Sequence, residues 1–125
     1  FRWEAKLNAV APYDFIILDD GDPIQKIDAK STSGNFTNAI HVSVSELYEM
    51  AECRVPYKIY RLYSINEHNA YLKISADMKE VANNILKSLT RLPDGVMADG
   101  VTISPNALEF DEEIFISLDV LSNGE

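Results

Sequence analysis

The chain has 125 residues, of which 46% are apolar and 25% charged, a composition typical of one globular domain. Its net charge of −9 argues against a surface that binds nucleic acid by non-specific phosphate neutralisation. Cys53 is the only cysteine, which excludes an internal disulfide and a Cys-rich metal site and fits a reducing cytosol. The sequence has neither an apolar run of membrane-spanning length nor a signal peptide, so we expect a cytoplasmic protein without membrane contact.

The charge is distributed unevenly along the chain. Residues 1–75 carry 8 basic and 10 acidic side chains, whereas residues 76–125 carry 3 and 10. The first part can present a locally basic cleft, and the acidic second part is expected to be a solvated surface or a contact for another chain. The chain begins at Phe1 without a methionine, so we expect a fragment of a larger protein.

In chain order, the first half is predicted to form strands before a helix. Residues 1–7 alternate bulky and polar side chains, as a half-buried strand does. Residues 13–18 and 24–30 are predicted to form a hairpin around the turn signal Asp19-Asp20-Gly21-Asp22-Pro23, and residues 39–42 a short strand. Ser43 and Glu46 form a capping-box pattern that begins a helix ending near Pro56.

The second half is predicted to contain two paired strands, a helix and further strands. Residues 57–65 and 70–74 alternate across a turn, and residues 76–89 carry apolar side chains at helical spacing. Residues 96–98 and 101–103 are predicted to form a hairpin around Asp99-Gly100, and residues 114–120 a last strand.

The first hairpin brings three charged residues together. If its loop is Asp20-Gly21-Asp22, paired residue numbers add up to 42, so Asp14 lies opposite Asp28 and Lys30 points to the same side. Two carboxylates at this spacing are hard oxygen ligands for a divalent cation, with Mg²⁺ or Mn²⁺ as the natural candidates. The register of the hairpin decides whether the two acids form a site, because a shift by one residue sends Asp14 to the other face and leaves the acids as separate surface charges.

These residues resemble a known signature. Asp14, followed by Asp28-Ala29-Lys30, is similar to the Asp…(Asp/Glu)-x-Lys signature of the PD-(D/E)xK (restriction-endonuclease-like) nuclease superfamily. More narrowly, residues 1–62 resemble the NO VEIN C-terminal-like domain family, which is found beside helicase or other ATPase regions in restriction or antiviral defence. The segments that carry this likeness are Leu7-Asn8, Pro12-Tyr13-Asp14-Phe15, Ile27-Asp28-Ala29-Lys30-Ser31-Thr32, Val42-Ser43-x-x-Glu46-Leu47 and Tyr60-Arg61.

The resemblance implies a role for each matching residue. Asp14 and Asp28 would be metal ligands and catalytic acids, the backbone carbonyl of Ala29 a further ligand, and Lys30 the catalytic group that orients the attacking water or stabilises the phosphate. In the family a helix precedes this core and often donates a further acid, and we expect this helix to be missing from the chain.

Other residues have competing interpretations. Glu46 could reach the metal, but its capping role explains it and ranks first. Arg61 could contact a phosphate, or belong to a strand that is half core and half solvated. Lys30 could be an ordinary salt-bridge partner. Cys53 is expected to be buried and inert, and His41 and His68 have no second histidine at metal-ligand spacing.

These observations predict an α/β domain with a mixed, mostly antiparallel sheet flanked by helices. Residues 1–75 would form a restriction-endonuclease-like core and residues 76–125 an acidic extension of the same domain. The expected function is that of a divalent-metal-dependent endonuclease module acting on DNA more readily than on RNA, within a larger protein that includes an ATPase or helicase. The alternative is a non-catalytic module of the same fold for protein docking or nucleic-acid recognition.

Overall fold

The structure is a computed structural model that describes residues 2–5 and 15–117, with side chains described for residues 16–117. Within these residues the chain forms strands, two α-helices and one short 3-10 helix at 105–107. Their bounds are β1 (Arg2–Ala5), β2 (Phe15–Asp19), β3 (Asp22–Ser31), β4 (Ile40–Ser43), α1 (Val44–Glu52), β5 (Tyr57–Tyr63), β6 (Asn69–Ile74), α2 (Lys79–Leu89), β7 (Gly100–Ile103) and β8 (Ile114–Ser117).

The larger sheet is mixed, as predicted. Its strand order is β1-β2-β3-β5-β6-β8, and β4 and β7 pair in a separate two-stranded sheet. The pairs β1·β2, β2·β3, β5·β6 and β6·β8 are antiparallel, whereas β3 and β5 are parallel. A parallel pair needs a long crossover, and here β4 and α1 supply it. The predicted α/β class with a mostly antiparallel sheet is therefore confirmed.

The β2–β3 hairpin has the predicted register, but its turn differs from the predicted one and a β-bulge follows it. Its turn is Asp20-Gly21, both with positive φ (53° and 86°), so the predicted three-residue loop is wrong. A bulge follows, because Ile17 pairs with Gln25 but Leu18 pairs with Pro23. The bulge adds one residue to β3, and from Phe15↔Ile27 to Ile17↔Gln25 the paired numbers again add up to 42.

The hydrophobic core lies between the sheet and the two helices. The helix α1 turns Leu47 and Met50 inward, both fully buried, and α2 contributes Ala82 with Met78 just before it. Each fully buried side chain of the size of leucine or methionine stabilises the fold by about 1.5–3 kcal/mol. The remaining buried members of this cluster are Ile40, Val42, Cys53, Tyr57, Ile59 and Ile103. Cys53 is a free, buried cysteine, as predicted.

The predicted hairpin of residues 96–98 with 101–103 is wrong. The strand β7 pairs instead with β4, which lies almost sixty residues earlier, through Ile40↔Ile103 and Val42↔Val101. This pairing buries Ile40, Val42 and Ile103, whereas Met97 is 91% exposed. Gly100 permits the close approach, because a Cβ there would lie 2.6 Å from the carbonyl oxygen of Val42. Long-range burial outweighs the local turn signal at Asp99-Gly100.

Two other predicted bounds change. The helix α2 begins at Lys79 rather than at residue 76, and the carbonyl of its N-cap Met78 accepts from the N–H of Ala82. The backbone N–H groups of Ala76 and Met78 donate to the carbonyls of Glu109 and Tyr57. The last strand is described to Ser117, and residues 118–120 of the prediction lie outside the described residues. Within the described part of the chain, no helix is long and apolar enough to cross a membrane.

Candidate functional site

The candidate site lies on the face of β3 that is covered by α1. Side chains alternate along a strand, so Lys26, Asp28 and Lys30 share this face. Lys26 forms an ion pair with Glu49 of α1, and Lys30 forms one with Glu46 one turn earlier in the same helix. Asp28, between the two lysines, is only 1% exposed.

Glu46 is held by the first turn of α1. Its backbone N–H donates to Ser43 Oγ (3.1 Å), and its Oε1 accepts from the backbone N–H of Ser43 (2.8 Å). This is the predicted capping box. The same carboxylate also faces β3, so the residue that begins the helix is part of the candidate site.

The ammonium of Lys30 lies between two carboxyl groups. Its Nζ is 3.1 Å and 3.0 Å from Oε1 and Oε2 of Glu46, and 3.2 Å from Oδ2 of Asp28. The contact with Asp28 is an ion pair, and Oδ2 of Asp28 is a buried oxygen without a hydrogen-bond partner among the residues that the structure describes. The side chains of Lys30 and Glu46 are 19% and 18% exposed, so the cluster reaches solvent at these two residues.

Burial and mutual contact shift the pKa of each of the three groups. Burial, followed by a hydrogen bond with Glu46, raises the pKa of Asp28 from 3.8 to about 8. Burial also acts to raise the pKa of Glu46, but hydrogen bonds from Asp28, the Ser43 backbone and Lys30 outweigh it and leave that pKa below its usual value. Burial acts to lower the pKa of Lys30, but the charge of Asp28 and the contacts with Glu46 outweigh burial, so the pKa of Lys30 lies above its usual value. Asp28 therefore holds its proton to a higher pH than a carboxyl group in water does, Glu46 releases its proton at a lower pH, and Lys30 stays charged.

Arg61 is buried beside the cluster and supports it from β5. It pairs with Lys30 in the parallel ladder and is only 2% exposed. Its Nη1 donates to the carbonyl of Lys30 (3.3 Å) and its Nη2 to the carbonyl of Asn38 (2.6 Å). Burial lowers the pKa of its guanidinium. Of the two interpretations of Arg61, the structure favours the half-core strand, since Tyr57, Ile59 and Tyr63 are buried on the same face.

The loop after β3 is closed by local hydrogen bonds. Thr32 Oγ1 accepts from the backbone N–H of Gly34 (3.1 Å) and from Asn38 Nδ2 (3.2 Å). The bond from Arg61 to Asn38 ties the far end of this loop to β5. Thr32 therefore has a structural role in ending the strand.

The remaining predicted metal ligands are Asp14 and the backbone carbonyl of Ala29. Asp14 lies outside the described residues, although the neighbouring pair Phe15↔Ile27 follows the register on which its predicted position depends. Ala29 pairs with Tyr60 in the parallel ladder, and its side chain points to the face opposite Asp28.

The donor set of the cluster fits a divalent cation in part. Both Asp28 and Glu46 contact the Lys30 ammonium, and Oδ2 of Asp28, buried and without a hydrogen bond among the described residues, is the kind of hard oxygen that Mg²⁺ and Mn²⁺ bind. Among residues 16–117 no group of three His, Cys, Asp or Glu side chains is placed to hold a metal ion. The described carboxylates therefore fit a partial site, to which a third ligand must be added.

The contact of Glu46 with Lys30 is not among the roles that the sequence predicts for this residue, which are the capping box and, ranked second, a reach to the metal. A usable signal exists in the crossover, because the helix of a β-α-β unit packs back onto the sheet.

Comparisons with protein-family models, with curated proteins and with solved structures found no match for this chain.

Proposed function

We propose that this chain is a divalent-metal-dependent nuclease module with a restriction-endonuclease-like core that hydrolyses phosphodiester bonds in DNA. The observation that carries the proposal is the approach of the Lys30 ammonium to within 3.2 Å of the buried carboxyl of Asp28. An acid and a lysine two residues apart on one face of a central strand match the arrangement that the sequence motif requires.

The residues would divide the work as follows. Asp28, with Asp14 and the Ala29 carbonyl, would hold Mg²⁺ or Mn²⁺, which offsets the negative charge on the phosphate when bound. Lys30, partly exposed at the edge of the cluster, would orient the attacking water or neutralise charge on the phosphorane-like transition state. Arg61 fixes the backbone of Lys30 and so the place from which that side chain extends.

The surrounding charge limits what the module does by itself. With a net charge of −9, it would depend on other domains or subunits, such as an ATPase or helicase, for most of its affinity for DNA. A cytoplasmic role in restriction or antiviral defence fits such an arrangement.

The test is cleavage of DNA and RNA by the purified chain at low ionic strength, with and without Mg²⁺. We expect metal-dependent cleavage that Lys30→Met abolishes. Lys26→Met is the matched control, because Lys26 lies on the same face and also pairs with a glutamate of α1. Equal cleavage by Lys30→Met and wild type, or no cleavage of any substrate, would contradict the proposal.

A second candidate is a non-catalytic module for docking or recognition. It is favoured by the two ion pairs that already hold Lys30, and by the excess of acidic residues in 76–125. Folded protein that cleaves nothing yet binds a partner or a nucleic-acid end would support this candidate.

A further inference from the structure

The position of the Lys30 ammonium suggests a place for a cation. The Nζ of Lys30 lies 3.2 Å from Oδ2 of Asp28 on β3 and 3.0 Å from Oε2 of Glu46 on α1. Oxygens of both acids are therefore close enough to reach one small ion. Among the described residues, Oδ2 of Asp28 has no hydrogen-bond partner.

We propose that Asp28 and Glu46 together bind a divalent cation in the place of the Lys30 ammonium, which moves toward solvent when the cation binds. The inference rests on the metal requirement of the proposed function and adds a ligand, Glu46, that the sequence motif does not contain. It also gives Lys30 a second role, as the positive charge that holds the two acids together before the cation arrives.

The hydrogen bonds of Glu46 allow this exchange without loss of the helix cap. Oε1 accepts from the backbone N–H of Ser43, whereas Oε2 contacts only the ammonium of Lys30 among the bonds and ion pairs described above. A cation that binds Oε2 would leave the capping bond to Oε1 in place. The first turn of α1 then keeps the carboxylate oriented, which reduces the entropy lost on binding.

Lys30 is also suited to move. Its side chain is 19% exposed, so part of it already lies in solvent. Its backbone is fixed by the parallel pairing with Arg61 and by the hydrogen bond from that side chain to its carbonyl. The side chain can therefore change rotamer without disturbing the strand that carries Asp28.

The opposing interpretation is a permanent ion-pair cluster that only stabilises the packing of α1 on β3. The neighbouring pair Lys26 and Glu49 is such a contact, one turn further along the same helix. It offers no buried acid without a hydrogen-bond partner, and so it serves as the internal reference.

The experiment is titration of the full chain with Mn²⁺, followed by calorimetry and by the rise in melting temperature. Glu46→Gln is the main variant, because glutamine at this position retains the capping bond while it removes the charge. We expect its affinity for Mn²⁺ to fall by about tenfold or more. Glu49→Gln, with the same change of charge on the same helix, should bind Mn²⁺ like wild type.

Lys30→Met provides the second measurement. We expect it to bind Mn²⁺ at least as tightly as wild type, because no ammonium competes for the two acids. Circular dichroism establishes that each variant is folded. Wild-type affinity in Glu46→Gln, loss of binding in Lys30→Met, or no binding of Mn²⁺ by folded wild type would overturn the inference.

These outcomes are separate from those of the cleavage assay. Mn²⁺ binding that depends on Glu46, in a chain that cleaves no nucleic acid, would retain the cation site and remove the nuclease proposal. Metal-dependent cleavage by a Glu46→Gln variant with wild-type Mn²⁺ affinity would retain the nuclease proposal and remove Glu46 from the cation site.

Discussion

The side chain of Arg61 donates a hydrogen bond of 3.3 Å to the backbone carbonyl of Lys30, the residue whose ammonium lies between two acids. The same guanidinium holds the carbonyl of Asn38 at 2.6 Å. One buried cation on β5 thus fixes both the strand that carries the site and the loop that follows it.

Arg61→Lys is expected to lower the free energy of unfolding by about 2–4 kcal/mol. The ammonium of lysine lacks the guanidinium fork that reaches both carbonyls, so a buried charge is left with fewer partners. Backbone amides of residues 33–38 should exchange faster with deuterated water, since the anchor of this loop is lost. Chemical denaturation and hydrogen exchange measure the two effects. Lys58→Arg, on the other face of β5, is the control and should change stability by less than about 0.5 kcal/mol. Unaltered exchange in the loop would show that Asn38 is held by other contacts.

Gly21→Ala is expected to lower the free energy of unfolding by about 1–2 kcal/mol. Gly21 has a φ of +86°, and a Cβ there would meet no atom within 4 Å, so the cost is conformational rather than steric. Gly21→Asn should lose less, because asparagine tolerates the left-handed region. Denaturation of the three proteins side by side gives the order. A Gly21→Ala variant as stable as wild type would mean that the turn has another conformation in solution.

Ser43→Ala removes the side chain that caps α1 and is expected to cost about 1 kcal/mol of stability. Ser43→Gly should lower the stability by only a few tenths of a kcal/mol, because glycine is a tolerated N-cap. Glu46→Gln, which keeps the other half of the capping box, separates the cap from the charge. Thermal unfolding measures all three, and equal stability of the alanine variant and wild type would argue against a capping contribution.

The raised pKa of Asp28 makes stability depend on pH. The unfolded chain releases this proton near pH 3.8, whereas the folded chain keeps it until about pH 8. The contribution of Asp28 to stability is therefore fully present below the lower value and is lost as the pH rises toward the upper one. Asp28→Asn removes this titration, so its stability relative to wild type should increase from pH 5 to pH 8 when no metal is present.

Denaturation of both proteins at several pH values across this window tests the expectation. Asp77→Asn, at an acid near the start of α2 for which no comparable burial exists, is the control. A constant difference between Asp28→Asn and wild type would mean that Asp28 is ionised in the folded chain.

Local patterns were sufficient for much of the fold. The capping box at Ser43 and Glu46 placed the start of α1 to the residue, because its hydrogen bonds join residues three apart. The alternation of β5 gave its buried face for the same reason, since the period of a strand is a property of the backbone. The pairing of β7 with β4 was not accessible in this way, because a contact across some sixty residues leaves no local trace.

The features of the candidate site are likewise of two kinds, those set by local spacing and those set by packing. The sequence by itself determined that Asp28 and Lys30 share one face of a strand, since residues two apart in an extended chain must do so. Only the tertiary structure decided that Glu46 and Arg61 lie beside them, because these residues arrive from α1 and β5. It also decided that Asp28 is buried, and burial is what raises its pKa. Spacing along a strand is covalent and can be read from the sequence, whereas desolvation and contacts between elements exist only when the chain has packed.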